Sequence, residues 1–278
     1  MKPSNLKDIS QTKHFKMKQL KSSSQDLRYL FENITVKHVL ERLQCCNAKE
    51  DAVIVKKRMK KLDFDVMGIK DKGITYGYVK QSKLKDGLCN KHEHVFHPSE
   101  LVAESMPLIE LLPILHDNQR VFVLERNKVN GIVTRGDLQK APVRLFLFGL
   151  VTLLEMNLLY LIKIYYPKDS WTKHLKDNRL KNAEKLQSIR KDRNEAIDLA
   201  DCLQFCDKRD LILKKSEILK NIGIKSKKSI KQTLESAEKL RNNLAHALDI
   251  VKGLSWTKVI NLAKEIELFI KRCEESYI

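Results

Sequence analysis

Of the 278 residues, 53 are Lys or Arg and 35 are Asp or Glu, giving a formal charge of +18, while 42% are hydrophobic and six are cysteines. That apolar content lies far above what a disordered chain carries, and the length suits about two domains, each able to bury its own core. Adjacent Cys45 and Cys46 and the lack of any C-x-x-C pair exclude the dense disulfide framework of a small secreted domain and fit free thiols in a reducing cytosol.

The charge is spread evenly. Residues 1–140 hold 26 basic and 17 acidic side chains and residues 141–278 hold 27 and 18, so each half carries +9. A basic surface concentrates polyanions and gains salt-dependent affinity for phosphates, which makes nucleic acid the expected partner; a lysine-rich composition that merely keeps the chain soluble is the plain alternative.

In chain order, residues 1–33 form a basic N-terminal segment with no apolar stretch behind its lysines, so no secretory signal is expected there and the predicted location is cytoplasmic. Periodicity then predicts a helix over about 50–62, followed by alternating apolar residues on either side of a turn at Lys72-Gly73: helix, strand, turn, strand. The pattern recurs, with a helical period in SELVAESMPLIELLPILHDNQ and two β-rich runs about a polar turn at roughly 126–130, so the chain contains an internal repeat of about 55 residues.

Aligning the strand ends sets Gly77-Tyr78-Val79-Lys80-Gln81-Ser82-Lys83-Leu84 on Gly131-Ile132-Val133-Thr134-Arg135-Gly136-Asp137-Leu138. In the second copy Thr134 offers a hydroxyl, and Asp137, three residues on, can cap the next helix or accept from a ribose diol, while backbone amides at that helix start suit a phosphate. Residues 34–142 thus resemble a tandem pair of CBS domains (βαββα repeats), modules that bind adenine nucleotides in the cleft between two repeats. The resemblance assigns ribose and phosphate contacts to Thr134, Arg135 and Asp137, and the expected regulatory ligand is AMP, ADP or ATP. In the first repeat Lys80 and Lys83 replace the hydroxyl residue and the acid, so one well-formed nucleoside site is expected, on the second repeat. The residues themselves leave open that Asp137 is only a helix cap.

Beyond Pro167 there is no proline, and only Gly223 and Gly253 could terminate helices, so the second half, 143–278, should be entirely helical. Helices are expected at 143–166 and about 178–214, 229–250 and 255–275, as an antiparallel bundle. The first is almost long enough to span a membrane, but Glu155 lies in its middle, where a carboxylate costs roughly 2.5 kcal/mol or more at bilayer depth. It is therefore read as a buried helix, with no membrane partner. The third has Ser229 and Gln232 as an apparent capping box and an apolar stripe of Leu234, Ala237, Leu240, Leu244, Leu248 and Val251. Turning 100° per residue places Asn242 and His246 away from that stripe.

This helix carries Arg241-Asn242-Asn243-Leu244-Ala245-His246, an Arg-x4-His motif in a basic helical domain, and resembles the HEPN superfamily, whose metal-independent ribonucleases carry that motif. The resemblance implies an endoribonuclease site composed across a homodimer. Histidine, ordinarily titrating near neutrality, suits removal of a 2′-hydroxyl proton; arginine suits the charge of the phosphorane; and Asn242 could orient the phosphate or the imidazole. The preceding loop supplies Lys225, Lys227, Lys228 and Lys231 for RNA. No catalytic cofactor or metal is expected.

The fold class expected is α+β, a tandem CBS pair followed by an all-α HEPN-like bundle, and the function an adenine-nucleotide-regulated ribonuclease. Two alternatives stay open, a non-catalytic nucleotide-sensing adaptor that docks RNA and a toxin neutralised by a partner protein. Three clusters are set aside: Cys89, His92, His94 and His97 as a surface linker rather than a zinc site; Cys202 and Cys206, four apart on one helix face, as core; and Asp198, Asp201, Asp207, Lys208, Arg209 and Asp210 as a charged face of the same helix.

Overall fold

The structure, a computed structural model, describes residues 26–27, 29–30, 33–246 and 248–276. Most of the basic N-terminal segment therefore lies outside the described residues. The chain divides into two compact units, Leu30–Val143 and one containing Arg144–Ile278.

In the first unit, strands β1 (Glu41–Arg42) and β2 (Cys45–Asn47) precede helix α1 (Ala52–Lys61), after which β3 (Val66–Asp71) and β4 (Ile74–Lys80) form a hairpin; β5 (Glu93–Val95) and β6 (Leu101–Ala103) precede α2 (Leu108–Asp117), and β7 (Arg120–Glu125) and β8 (Lys128–Thr134) form the second hairpin. Asp51 starts α1 by accepting hydrogen bonds from the Val53 and Ile54 amides. Each helix is the crossover between parallel strands, β2 to β3 and β6 to β7. Both hairpins turn through two left-handed residues, Lys72 and Gly73 at φ 47° and 81°, Arg126 and Asn127 at 44° and 64°, the geometry that matches the twist of the flanking strands.

The repeat is confirmed in three dimensions. Strand starts 66 and 120, strand starts 74 and 128, and the bulges after Ile69 and Val123 are each 54 apart. The preceding strand and helix are offset by 56, since β2 and β6 start at 45 and 101 and the helices at 52 and 108. Two extra residues in the loop 62–65, compared with 118–119, account for the difference.

The two sheets read β2-β3-β4-β5 and β1-β8-β7-β6. Each gains its fourth strand from the segment ahead of the other repeat: β1 precedes the first repeat yet pairs antiparallel with β8, and β5 precedes the second yet pairs antiparallel with β4. Gly77 permits one of these pairings, because a Cβ there would meet the His94 carbonyl oxygen at 2.5 Å. Leu43, Val66, Tyr78, Phe122 and Val129 make a buried cluster drawn from both sheets. The Tyr78 and Phe122 rings lie 4.7 Å apart.

The second unit is entirely helical among the described residues: α3 (Ala141–Tyr165), α4 (Asp177–Lys191), α5 (Phe205–Lys214), α6 (Ser216–Asn221), α7 (Lys227–Ala245) and α8 (Trp256–Ser276). Helix α3 is long and apolar enough to cross a membrane by length and composition, and most of its apolar stretch is buried inside the protein. Its Glu155 accepts from the buried Lys208 ammonium at 2.7 Å, so the acid in the apolar stretch is neutralised by a partner rather than by solvent.

The helix expected over 178–214 is corrected. It stops at Lys191, and Asn194 turns left-handed at φ 59°. Asp198 then caps a short 3-10 turn and Gln204, boxed with Asp207, starts α5. Polar side chains that bond their own neighbouring amides outcompete helix continuation here without any Gly or Pro. Cys202 and Cys206 consequently do not share a helix face: Cys202 is buried in the 3-10 turn, while half-buried Cys206 bonds Arg179. Nor is the charged patch one face, since Asp198 and Asp201 pair with Lys163, Asp207 with Arg179, Lys208 with Glu155 and Arg209 with Glu238.

Candidate functional site

A cleft of roughly 830 Å³ opens in the first unit, lined by the segment 41–44, the loop 63–66, Gln119 and Arg120, and the end of β8 with Thr134, Arg135 and Asp137. Thr134 ends β8 with extended backbone, and a 3-10 turn (Arg135–Gln139) follows. The Asp137 carboxylate folds back over it. One oxygen accepts from the Thr134 amide at 2.7 Å and from its hydroxyl at 2.8 Å, and the other pairs with Lys140 at 2.8 Å. Sequence reasoning overlooked Lys140, which also bonds Glu41 at 2.5 Å and the Val39 carbonyl. Burial works against its charge, but the bonds to Asp137 and Glu41 outweigh it and hold the ammonium above its usual range.

Of the three residues expected on the nucleotide, Thr134 and Asp137 line the cleft as a hydrogen-bonded pair. Arg135 is otherwise engaged. Its guanidinium donates to the Leu115 and His116 carbonyls at 2.9 and 2.7 Å, so it caps the C-terminus of α2. This departs from the expected phosphate contact, and the reason is that an arginine reaching those carbonyls satisfies two groups that the helix end leaves open. The cleft instead offers Arg42 and Arg120, which carried no motif and are brought there by β1 and β7.

At the equivalent place on the first repeat, Tyr78 stands where Ile132 stands on the second. Its ring packs with His94, Phe96 and Phe122, and its hydroxyl donates to Glu100 at 3.1 Å. Burial first, then Glu100, pushes the phenol up to about 12. Lys80 lies 5.7 Å over that ring, and Lys83 is exposed. Aromatic side chains thus occupy ground that the second repeat leaves as cleft wall.

The four residues set aside as a linker are used separately. Cys89 is buried in one core with Cys46, whose thiol burial and Cys89 push up to about 12. His92 bonds the Asp86 carbonyl, His94 stacks on Tyr78, and His97 caps a 3-10 turn through Ser99.

The second candidate site lies at the end of α7. Its start is corrected: the cap is Ser226, which accepts from the Ser229 amide at 3.2 Å, so Ser229 lies inside the first turn. Its end comes earlier than expected, with His246 as the C-cap. Leu234, Ala237, Leu240 and Leu244 are buried as the stripe requires, whereas Leu248 and Val251 follow the helix and are half-buried. Arg144 closes this end, donating to the Leu248 carbonyl at 2.8 Å and reaching the Asn243 and Leu244 carbonyls at 3.4 and 3.5 Å. That leaves the exposed His246 imidazole with no hydrogen-bond partner among the described residues. Asn242 is exposed and accepts from Arg241 at 3.4 Å; Arg241 is half-buried, with Nε 4.0 Å from Glu155. The expected RNA-binding lysines Lys225, Lys227, Lys228 and Lys231 are all exposed, and Lys231 lies 3.8 Å from Glu235.

No family model matches the chain, and no curated protein matches it. Among solved structures it is similar to CBSX2 in complex with AMP (13% identity, 37% of this chain and 92% of that one, TM-score 0.34), and to the CBS domain of a bacterial CNNM/CorC family Mg2+ transporter in complex with ATP (13%, 44% and 96%, TM-score 0.35). It is also similar to a conserved CBS-domain protein of unknown function from Thermoplasma acidophilum (17%, 41% and 75%, TM-score 0.33).

Proposed function

We propose that Leu30–Val143 senses an adenine nucleotide as a CBS pair, and that the helical unit after it is a metal-independent ribonuclease. The observation that carries the first part is the cleft beside Asp137, an acceptor on a fixed turn, with Arg42 and Arg120 among the residues that line it. A ribose diol would donate to the Asp137 carboxylate, sharing it with Lys140, while a guanidinium takes phosphate oxygens. Isothermal titration of the full chain with AMP, ADP and ATP tests this. At least one must bind, and Asp137→Ala must abolish that binding; a silent wild type, or an unaffected variant, sinks the reading.

A second observation favours the nuclease part: the imidazole of His246 is solvent-exposed and uncommitted among the described residues, while its backbone amide and the Arg144 guanidinium serve the carbonyls at the end of α7. As base, His246 takes the 2′-hydroxyl proton, O2′ bonds to phosphorus as the bond to O5′ breaks, and the leaving oxygen takes a proton from solvent. Arg241 and Asn242 hold the phosphate, the four exposed lysines track the RNA backbone, and a second copy of the chain completes the site as a homodimer. Free thiols and the basic surface fit a cytoplasmic setting. Purified protein in EDTA should cleave RNA and His246→Ala should not; cleavage that survives the substitution removes the assignment.

A further inference from the structure

We infer that the cleft selects a nucleoside monophosphate against a triphosphate, a conclusion that rests on the nucleotide reading above. The chain carries +18 overall, yet the cleft does not share that excess. Its walls contribute four carboxylates, Glu41, Asp63, Asp65 and Asp137, against three guanidiniums.

Those guanidiniums are unequally available. Arg135 is held by two backbone carbonyls. Arg120, whose side chain is 19% exposed, lies 3.5 Å from Asp65. Arg42 alone is exposed and without an ion-pair partner among the described residues. Lys140 adds nothing, since Asp137, Glu41 and the Val39 carbonyl already share its ammonium. A bound phosphate thus finds one free cation and one shared cation, which suits the charge of a monophosphate. Further phosphoryl groups add negative charge to a cleft that already holds exposed Asp63 and Asp65, with no other unpaired cation among its described lining residues. Repulsion between exposed charges several Å apart is enough for about a tenfold difference in affinity at low salt, and it shrinks as salt rises.

Titration calorimetry on the full chain at low salt in EDTA, with AMP and ATP, tests this. AMP should bind at least about tenfold tighter, and Asp63→Asn with Asp65→Asn should bring the ratio within about threefold, mainly by strengthening ATP. Asparagine tolerates the left-handed backbone of Asp63, φ 55°, so the exchange removes charge without strain. ATP binding as tightly as AMP in the wild type, or an unchanged ratio in the double variant, overturns the inference while leaving a nucleotide site intact. Binding of neither removes the site itself.

Discussion

Replacing Lys208 by methionine isolates the worth of the ion pair inside the helical unit. The Lys208 side chain is 6% exposed, its Glu155 partner 23%, and the two lie 2.7 Å apart. Removing one member of a buried pair strands the other, at a cost of about 3–5 kcal/mol. Here Glu155 keeps some solvent access and Arg241 at 4.0 Å, so Lys208→Met should cost about 2–3 kcal/mol. For a unit of this size that corresponds to a fall of about 6–12 °C in Tm. Lys208→Met combined with Glu155→Leu removes both charges and should recover to within about 1 kcal/mol of the wild type. Both tryptophans, Trp171 and Trp256, belong to this unit, so urea titration followed by tryptophan fluorescence reports it directly. A single variant within about 0.5 kcal/mol of the wild type, or a double variant no more stable than the single, refutes the reasoning.

Two other outcomes follow from the first unit. Gly77→Ala forces a methyl group against the His94 carbonyl; because backbone has to yield, it should cost about 2 kcal/mol or more in chemical denaturation, and a neutral result would mean that β5 parts from β4 readily. His94 titrates below its ordinary 6.5, first through burial and then through Lys80. The folded state thus favours the neutral ring, and the stability this supplies is present above pH 6.5 and lost as pH falls through the lowered folded value. Thermal melts should show acid destabilisation of this unit that His94→Gln reduces; identical pH profiles would remove His94 from the account.

Much of the first unit was legible because its signals are local. The Gly77 and Gly131 alignment, the Lys72-Gly73 turn and two helical periods together gave the repeat, and the structure returns it at 54 residues with matching bulges. What escaped was non-local: β1, β2, β5 and β6 span only two or three residues, a strand so short has no readable period, and β6 lies inside the segment expected to be helical, where the helix starts only at Leu108. The capping bonds of Arg135 were hidden for a similar reason, since the carbonyls it reaches are 19 and 20 residues away. In the second half the helical period was sound, but the break after Lys191 rests on Asn194, Asp198 and Gln204, residues equally at home on a solvated helix face. Ser226 and Ser229 are both credible caps in sequence, and only the observed amide bond decides between them.

The exchanged strands give the two repeats a reciprocal debt. A fragment ending before Glu93 would lack β5 along the open side of β4, and one beginning after Arg42 would lack β1 along the open side of β8. Each would show bare backbone donors and acceptors ready to recruit another chain. Halving this unit therefore yields sticky pieces rather than two smaller modules.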